Sequence, residues 1–161
     1  MERALAEALS LLPRADRLTA VINDPQRHTD SLSVLQALHR LLPGTTLRLM
    51  IACGTHTFVP DAQAAFERPL RAHLPVEEVL WHDCRKGLIS IGGLWHGQPG
   101  LLQDEPLLVI GSVEPHYFAG FTGAHKTCTI GCASAEDIEA NHAAALDPAQ
   151  PPLCDGRQPR L

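Results

Sequence analysis

The sequence predicts an α/β fold: a mainly parallel sheet with helices on both faces. Three observations carry this reading. Short apolar runs rich in strand formers alternate with segments whose apolar residues recur at helical spacing. The runs lack the polar-at-every-second-position pattern of a half-exposed strand, so they belong inside a sheet covered on both sides. Polar or Gly-containing turns follow them, as in strand–loop–helix units.

Residues 2–12 are expected to form an amphipathic helix, with Leu5, Leu9 and Leu12 near one face and Pro13 ending it. Leu18-Thr19-Ala20-Val21-Ile22 is a buried parallel strand. Residues 30–42 form a second helix, with Leu32, Leu35, Leu38 and Leu42 in register and Pro43-Gly44 closing it. Leu47–Ala52 is the next strand, Pro60–Ala72 a helix with proline in its first turn, and Val76–Trp81 a third strand. Residues 87–104 fit a hairpin or a bent edge. Leu107–Val113 is the last strand. A Gly-rich loop, 114–133, then leads to a last helix over 134–145, with Ser134 as N-cap and Asp137 in the first turn. The tail 147–152 is expected to be irregular. With alternating strands and helices the topology is Rossmann-like, in one domain spanning 1–161.

Composition narrows the function. The formal charge is −5 and no basic run exists, which argues against nucleic acid as a partner. No apolar run approaches the ~20 residues of a membrane span. The N-terminus carries acids where a signal peptide would be basic, and five cysteines in a chain of this length do not suggest a disulfide framework. Both point to a reducing cytoplasm.

Ligands of open α/β sheets bind where strands end, and the chemistry-bearing residues cluster there. Asp24 and Arg27 follow the first strand. An arginine there suits a carboxylate, which its planar fork binds bidentately, although a solvated turn capped by Asp24 fits the same residues. Gly54-Thr55-His56 follows the second strand, and His56 is a proton acceptor or a loop histidine satisfied by backbone. His82-Asp83 ends the third, where Asp83 is expected to cap the turn. After the fourth come His116, Gly120, Thr122, Gly123 and Lys126, and then His142 on the last helix. Gly120 and Gly123 allow close backbone approach or positive φ. A sheltered lysine can bond covalently to a carbonyl-type carbon, and imidazole is a good transition-metal ligand. Surface and core readings exist for Lys126 and His142 respectively. The loop lacks the Walker A spacing. A zinc site from His125, Cys128, Cys132 and His142 is an alternative.

The run Glu114-Pro115-His116 through Gly120-Phe121-Thr122-Gly123 to Lys126, then His142, resembles the core motif of the nickel-dependent lactate racemase family. Asn23-Asp24-Pro25-Gln26-Arg27-His28-Thr29, Cys53-Gly54-Thr55-His56 and Trp81-His82-Asp83 match further blocks in the family's order, over about residues 15 to 145. The sequence departs from the family at two places. Thr122-Gly123-Ala124-His125-Lys126 stands for the usual Ser-Gly-Gly-x-Lys, and Ile130-Gly131 for a proline-glycine.

The resemblance implies a cofactor, the nickel pincer nucleotide: a pyridinium mononucleotide with two thio groups, tethered as a thioamide to Lys126, its nickel also bound by His142. It implies that Asp24, Gly120, Thr122 and Gly123 help hold that cofactor and that Arg27 holds the substrate carboxylate. His56 and His116 become the paired catalytic bases. The reaction implied is racemisation or epimerisation of a 2-hydroxy acid by hydride removal and return. The implied partners are the small-molecule substrate, the cofactor-synthesis enzymes, and a second domain or chain closing the cleft, because the family's second domain is absent from these residues. A non-catalytic nucleotide- or nickel-binding module is the alternative from a different class.

Overall fold

The computed structural model describes residues 2–11, 13–116 and 120–145. In chain order the elements are α1 (Glu2–Leu9), β1 (Arg17–Asn23), α2 (Ser31–Leu41), β2 (Thr46–Ala52), α3 (Pro60–His73), β3 (Val76–Trp81), β4 (Ile89–Ile91), β5 (Trp95–Gly97), a 3₁₀ turn Pro99–Leu102, β6 (Leu107–Val109), β7 (Pro115–His116), β8 (Gly120–Phe121), α4 (Ala124–Cys128), a 3₁₀ turn Ile130–Cys132, and α5 (Ala135–Ala145). A four-stranded sheet runs β3-β2-β1-β6 with every pair parallel. The fold is α/β, as expected.

The two central strands are the most buried. In β1 the five residues from Leu18 to Ile22 are all buried. Their alternating side chains feed two cores. One, built on Leu18, Ala20, Ile22, Leu47, Leu49 and Ile51, is covered by α1, α2 and α3 through Leu5, Leu9, Leu35, Leu38, Phe66 and Leu70. The other, on Val21, Met50 and Ala52, is covered by Leu101 and Cys132 from the two 3₁₀ turns, while α4 lies against β1 and β6. Pro60 opens α3 at its first turn, where its missing N–H costs nothing. Asp30 caps α2, its side chain accepting from the Ser33 N–H.

Three expectations need correction. The first helix stops at Leu9, short of residue 12. The last sheet strand is Leu107–Val109 rather than Leu107–Val113. The Ile110 N–H still donates to the Val21 carbonyl at 2.8 Å, and past it Gly111 packs on α4: a Cβ there would lie 2.5 Å from Thr127 Oγ1 and 3.1 Å from the Gly123 carbonyl carbon. The segment expected to be a plain Gly-rich loop instead holds the β7–β8 ribbon, α4 and a 3₁₀ turn. The region 87–104 resolves the other way, with β4 and β5 forming an antiparallel hairpin. The tail 147–152 lies outside the described residues.

The order of strands fixes where a ligand can sit. From β1 the chain moves outward to β2 and β3, then returns to place β6 on the other side of β1. The crevice between the carboxyl ends of β1 and β6 is thus the switch point of the sheet.

Away from it, Glu105 is a buried junction. Its carboxylate accepts from Thr19 Oγ1 at 2.8 Å, from Arg17 Nη2 at 3.3 Å and from Arg48 Nη1. Its side chain is 8% exposed. Glu105→Ala would leave a buried hydroxyl without its acceptor and two arginines short of a partner. The expected loss is about 1–3 kcal/mol, read as a lower urea midpoint with unchanged slope.

Candidate functional site

A cavity of about 220 Å³ opens at the switch point. Parallel register sets its floor: Asn23 of β1 stands opposite Ala52 of β2, so Asp24 and Cys53 leave the sheet side by side. The sequence-predicted residues Asp24, Arg27, His56, His116, Thr122, Gly123, Lys126 and His142 all line it. Gly120 does not. It opens β8 at φ +74°, a left-handed conformation that glycine takes without strain, and pairs with His116 across the ribbon.

Asp24 is 3% exposed, and both of its oxygens are engaged. Oδ1 accepts the Gln26 N–H at 2.8 Å, and Oδ2 lies 2.8 Å from His56 Nδ1. A carboxylate only accepts, so Nδ1 of His56 carries a proton, and in the neutral ring the lone pair is then on Nε2. This contact joins residues 32 apart and was not anticipated from the sequence.

Across the cavity Lys126 Nζ lies 2.8 Å from His116 Nε2. Burial, with Arg27 nearby, lowers the Lys126 amine below the ordinary lysine range. Burial, with the positive charges of Lys126, Arg27 and His142, lowers His116. Burial and then Lys126 lower His142. Both shifts favour the neutral imidazole, the form that accepts a proton or binds a metal.

Sequence reasoning missed the polar chain that holds the rim together. Thr127 Oγ1 donates to Asn23 Oδ1 at 2.9 Å. Asn23 Nδ2 donates to Thr29 Oγ1 at 2.7 Å, and Thr29 lies 3.2 Å from Ser112 Oγ. Thr122 Oγ1 donates to the Ser112 carbonyl at 2.9 Å. The chain ties α4, the end of β1 and the loops after β1 and β6 into one frame. Its only local signal was Asn23 at a strand end and Thr127 beside Lys126.

The helix bearing His142 is fixed by a second set of bonds. Ser134 Oγ accepts the Asp137 N–H at 3.0 Å, the expected N-cap. The Ala135 N–H reaches the Cys84 carbonyl, and the Ser134 N–H that of His96. His82, 4% exposed, is linked through Nε2 to the Ala133 carbonyl at 2.9 Å, and Asp83 caps its turn by accepting the Arg85 N–H.

The zinc arrangement is not formed. Among the described residues no group of three or more His, Cys, Asp or Glu is placed to hold a metal ion. Cys128 Sγ donates to the His125 carbonyl and Cys132 Sγ to that of Thr127. Burial raises both thiols, the opposite of what a zinc thiolate needs. Also among the described residues, no helix is long and apolar enough to cross a membrane.

The chain is similar to known lactate racemases in sequence and to solved structures in fold. The lactate racemase of Thermoanaerobacterium thermosaccharolyticum is 30% identical over 127 residues, covering 73% of this chain and 29% of that protein. The lactate racemase of Lactiplantibacillus plantarum is 27% identical over 117 residues, covering 68% and 27%. The chain therefore spans under a third of the length of these relatives. In fold it matches a crystal structure of a Thermotoga maritima protein with a TM-score of 0.71 at 22% identity, over 90% of this chain and 40% of that one. It also matches the lactate racemase apoprotein of Thermoanaerobacterium thermosaccharolyticum with a TM-score of 0.61 at 23% identity, over 88% and 39%. The model of the lactate racemase N-terminal domain covers residues 3–151, and this chain belongs to that family.

Proposed function

We propose that this chain is the cofactor-bearing domain of a racemase or epimerase acting on a 2-hydroxy acid, with a nickel pincer nucleotide attached to Lys126. The observation that carries the reading is the convergence of one amine, three imidazoles and one guanidinium on a single cavity at the sheet's switch point.

The donor set fits the group. A bare metal ion would need several protein ligands, and among the described residues none are assembled. A metal that arrives with sulfur and carbon donors of its own needs only one more, and His142 on the cavity wall can supply it. Lys126 would hold the nucleotide covalently, with Thr122 and Gly123 lining its seat and Gly120 shaping the ribbon beside it. Asp24 stands at the same wall, where it orients His56. The chemistry such a group supplies is reversible hydride acceptance at the substrate's second carbon.

The chain's own residues handle charge and protons. Arg27, exposed at the rim, binds the substrate carboxylate. His56 offers Nε2 from the loop after β2, and His116 offers its imidazole from the ribbon after β6. In each direction one of them takes the hydroxyl proton, and the other returns a proton once the planar keto acid has turned. Two bases on different elements suit a reaction that starts from either hand.

A further wall is part of the proposal. Val113 and Phe121, next in the chain to the lining residues Ser112 and Thr122, are 74% and 59% exposed. Such apolar exposure at a cavity rim, in a chain spanning under a third of its relatives, supports a second domain or chain closing the cleft over the substrate. The cofactor-synthesis enzymes are the remaining partners.

The test is isotopic. Protein produced with the cofactor-making enzymes, together with the domain or chain that closes the cleft, is given one enantiomer of lactate carrying deuterium at the second carbon, in ordinary water. Racemisation with the label retained is expected. Racemisation with washout would mean proton abstraction from carbon and would sink the hydride reading. His142→Ala is expected to keep the covalent adduct while nickel per adduct falls at least about tenfold. Unchanged nickel in metal analysis would remove His142 from the metal.

A further inference from the structure

Lys126 Nζ and His116 Nε2 are in hydrogen-bond contact at 2.8 Å inside the cavity, one on α4 and the other on the β7–β8 ribbon. Among the described residues, charged and titratable groups acting on the pair include Arg27 from the loop after β1 and His142 from α5. An ordinary lysine is an ammonium at neutral pH and has no lone pair to offer. Even a neutral amine becomes positive once its nitrogen has bonded to carbon, and a base must then take a proton.

We propose that His116 has a task before any substrate arrives: it accepts the proton of Lys126 as that amine forms its covalent bond to the cofactor. The inference rests on the tethering reading above and extends it from which lysine to how that lysine is activated. A thioamide is what an amine gives with a thiocarboxylic acid. The Nζ lone pair forms the nitrogen–carbon bond, the carbon–oxygen bond breaks, and the oxygen leaves as water. The proton lost by Nζ passes to His116 Nε2 and from there to the departing oxygen, whose second proton is the one the thiocarboxylic acid brings. Nothing is oxidised or reduced, and water is the only by-product. Burial and Arg27 favour the neutral amine. Burial, with Lys126, Arg27 and His142, keeps His116 neutral and ready to accept.

The chain's two lysines make the test clean. Lys86 is exposed in the loop after β3, outside the cavity, and serves as an internal reference. The cofactor-free protein is treated with the acetyl thioester of N-acetylcysteamine, an alkyl thioester whose attack by an amine leaves a proton to be removed from nitrogen, and acetylation at each lysine is followed by peptide mass spectrometry. Lys126 is expected to react about tenfold or more faster than Lys86 at pH 7. His116→Gln keeps an acceptor but cannot take a proton, so Lys126 should slow by about tenfold while Lys86 is unchanged. If that variant fails to fold, the native protein decides: acetylation of Lys126 must level off at a lower pH than that of Lys86. Equal rates at the two lysines, or an unchanged Lys126 rate in His116→Gln, overturn the proposal. The probe holds neither nickel nor nucleotide, so this failure differs from that of the racemase reading, which falls if protein made with the cofactor enzymes carries no adduct.

Discussion

Lys126→Ala gives a folded protein that gains no cofactor mass when produced with the cofactor-making enzymes, and its racemisation falls to background. The chain has two lysines, and Lys86 is exposed on the loop after β3. Lys126 instead lines the cavity from α4, half-buried and in contact with His116. Alanine is the best helix former, so α4 loses its amine without losing its backbone. The frame around it also stays, because Thr127 and Asn23 hold α4 to the end of β1 without the lysine. Lys126→Arg is expected to fail in the same way: a guanidinium keeps its proton and cannot attack carbon. Intact mass decides the matter. An adduct that persists on either variant moves the tether elsewhere and removes the chemical role given to α4.

The parts of the fold legible in the sequence were those set by local pattern. β1 and β2 announce themselves as apolar runs because both faces of each are buried. α2 and α3 show their periodicity because one face of each meets the core. The position of β6 was not legible, since pairing with β1 rather than β3 is a property of the whole sheet. The β7–β8 ribbon has strands of two residues each, too short for any period to show. α4 has five residues, below the length at which helices form by propensity. Its Thr127 hydroxyl bond to Asn23 and its packing on Gly111 hold it in place. At the site, residue type and strand-end placement marked the candidates, and the resemblance supplied their roles. The Asp24–His56 pair escaped notice because parallel register, not sequence spacing, brings it together.

That pair carries the second large prediction. Asp24→Asn is expected to lower turnover of the cofactor-loaded enzyme by ~10²-fold or more, leaving both the adduct and the fold intact. The reasoning is a count of donors and acceptors. Asp24 presents two accepting oxygens to two donors, the Gln26 N–H and the His56 Nδ1–H, each at 2.8 Å. Asparagine has one oxygen and one NH₂. The backbone N–H of Gln26 cannot become an acceptor, so the single oxygen must face it. The NH₂ then faces His56, which can meet it only by offering a bare Nδ1. The ring shifts its proton to Nε2, and the atom proposed to take the substrate's proton becomes a donor. Size and shape barely change, so a packing role would leave the rate nearly untouched. Steady-state kinetics should show the loss mainly in kcat, because Arg27, which holds the substrate carboxylate, is unaltered, and intact mass checks that the cofactor is still attached. Solution NMR of the His56 ring nitrogens should show the exchanged tautomer. If Asp24→Asn turns over within about threefold of the native protein while the tautomer has changed, Nε2 of His56 is not the proton acceptor, and the two-base assignment falls with it.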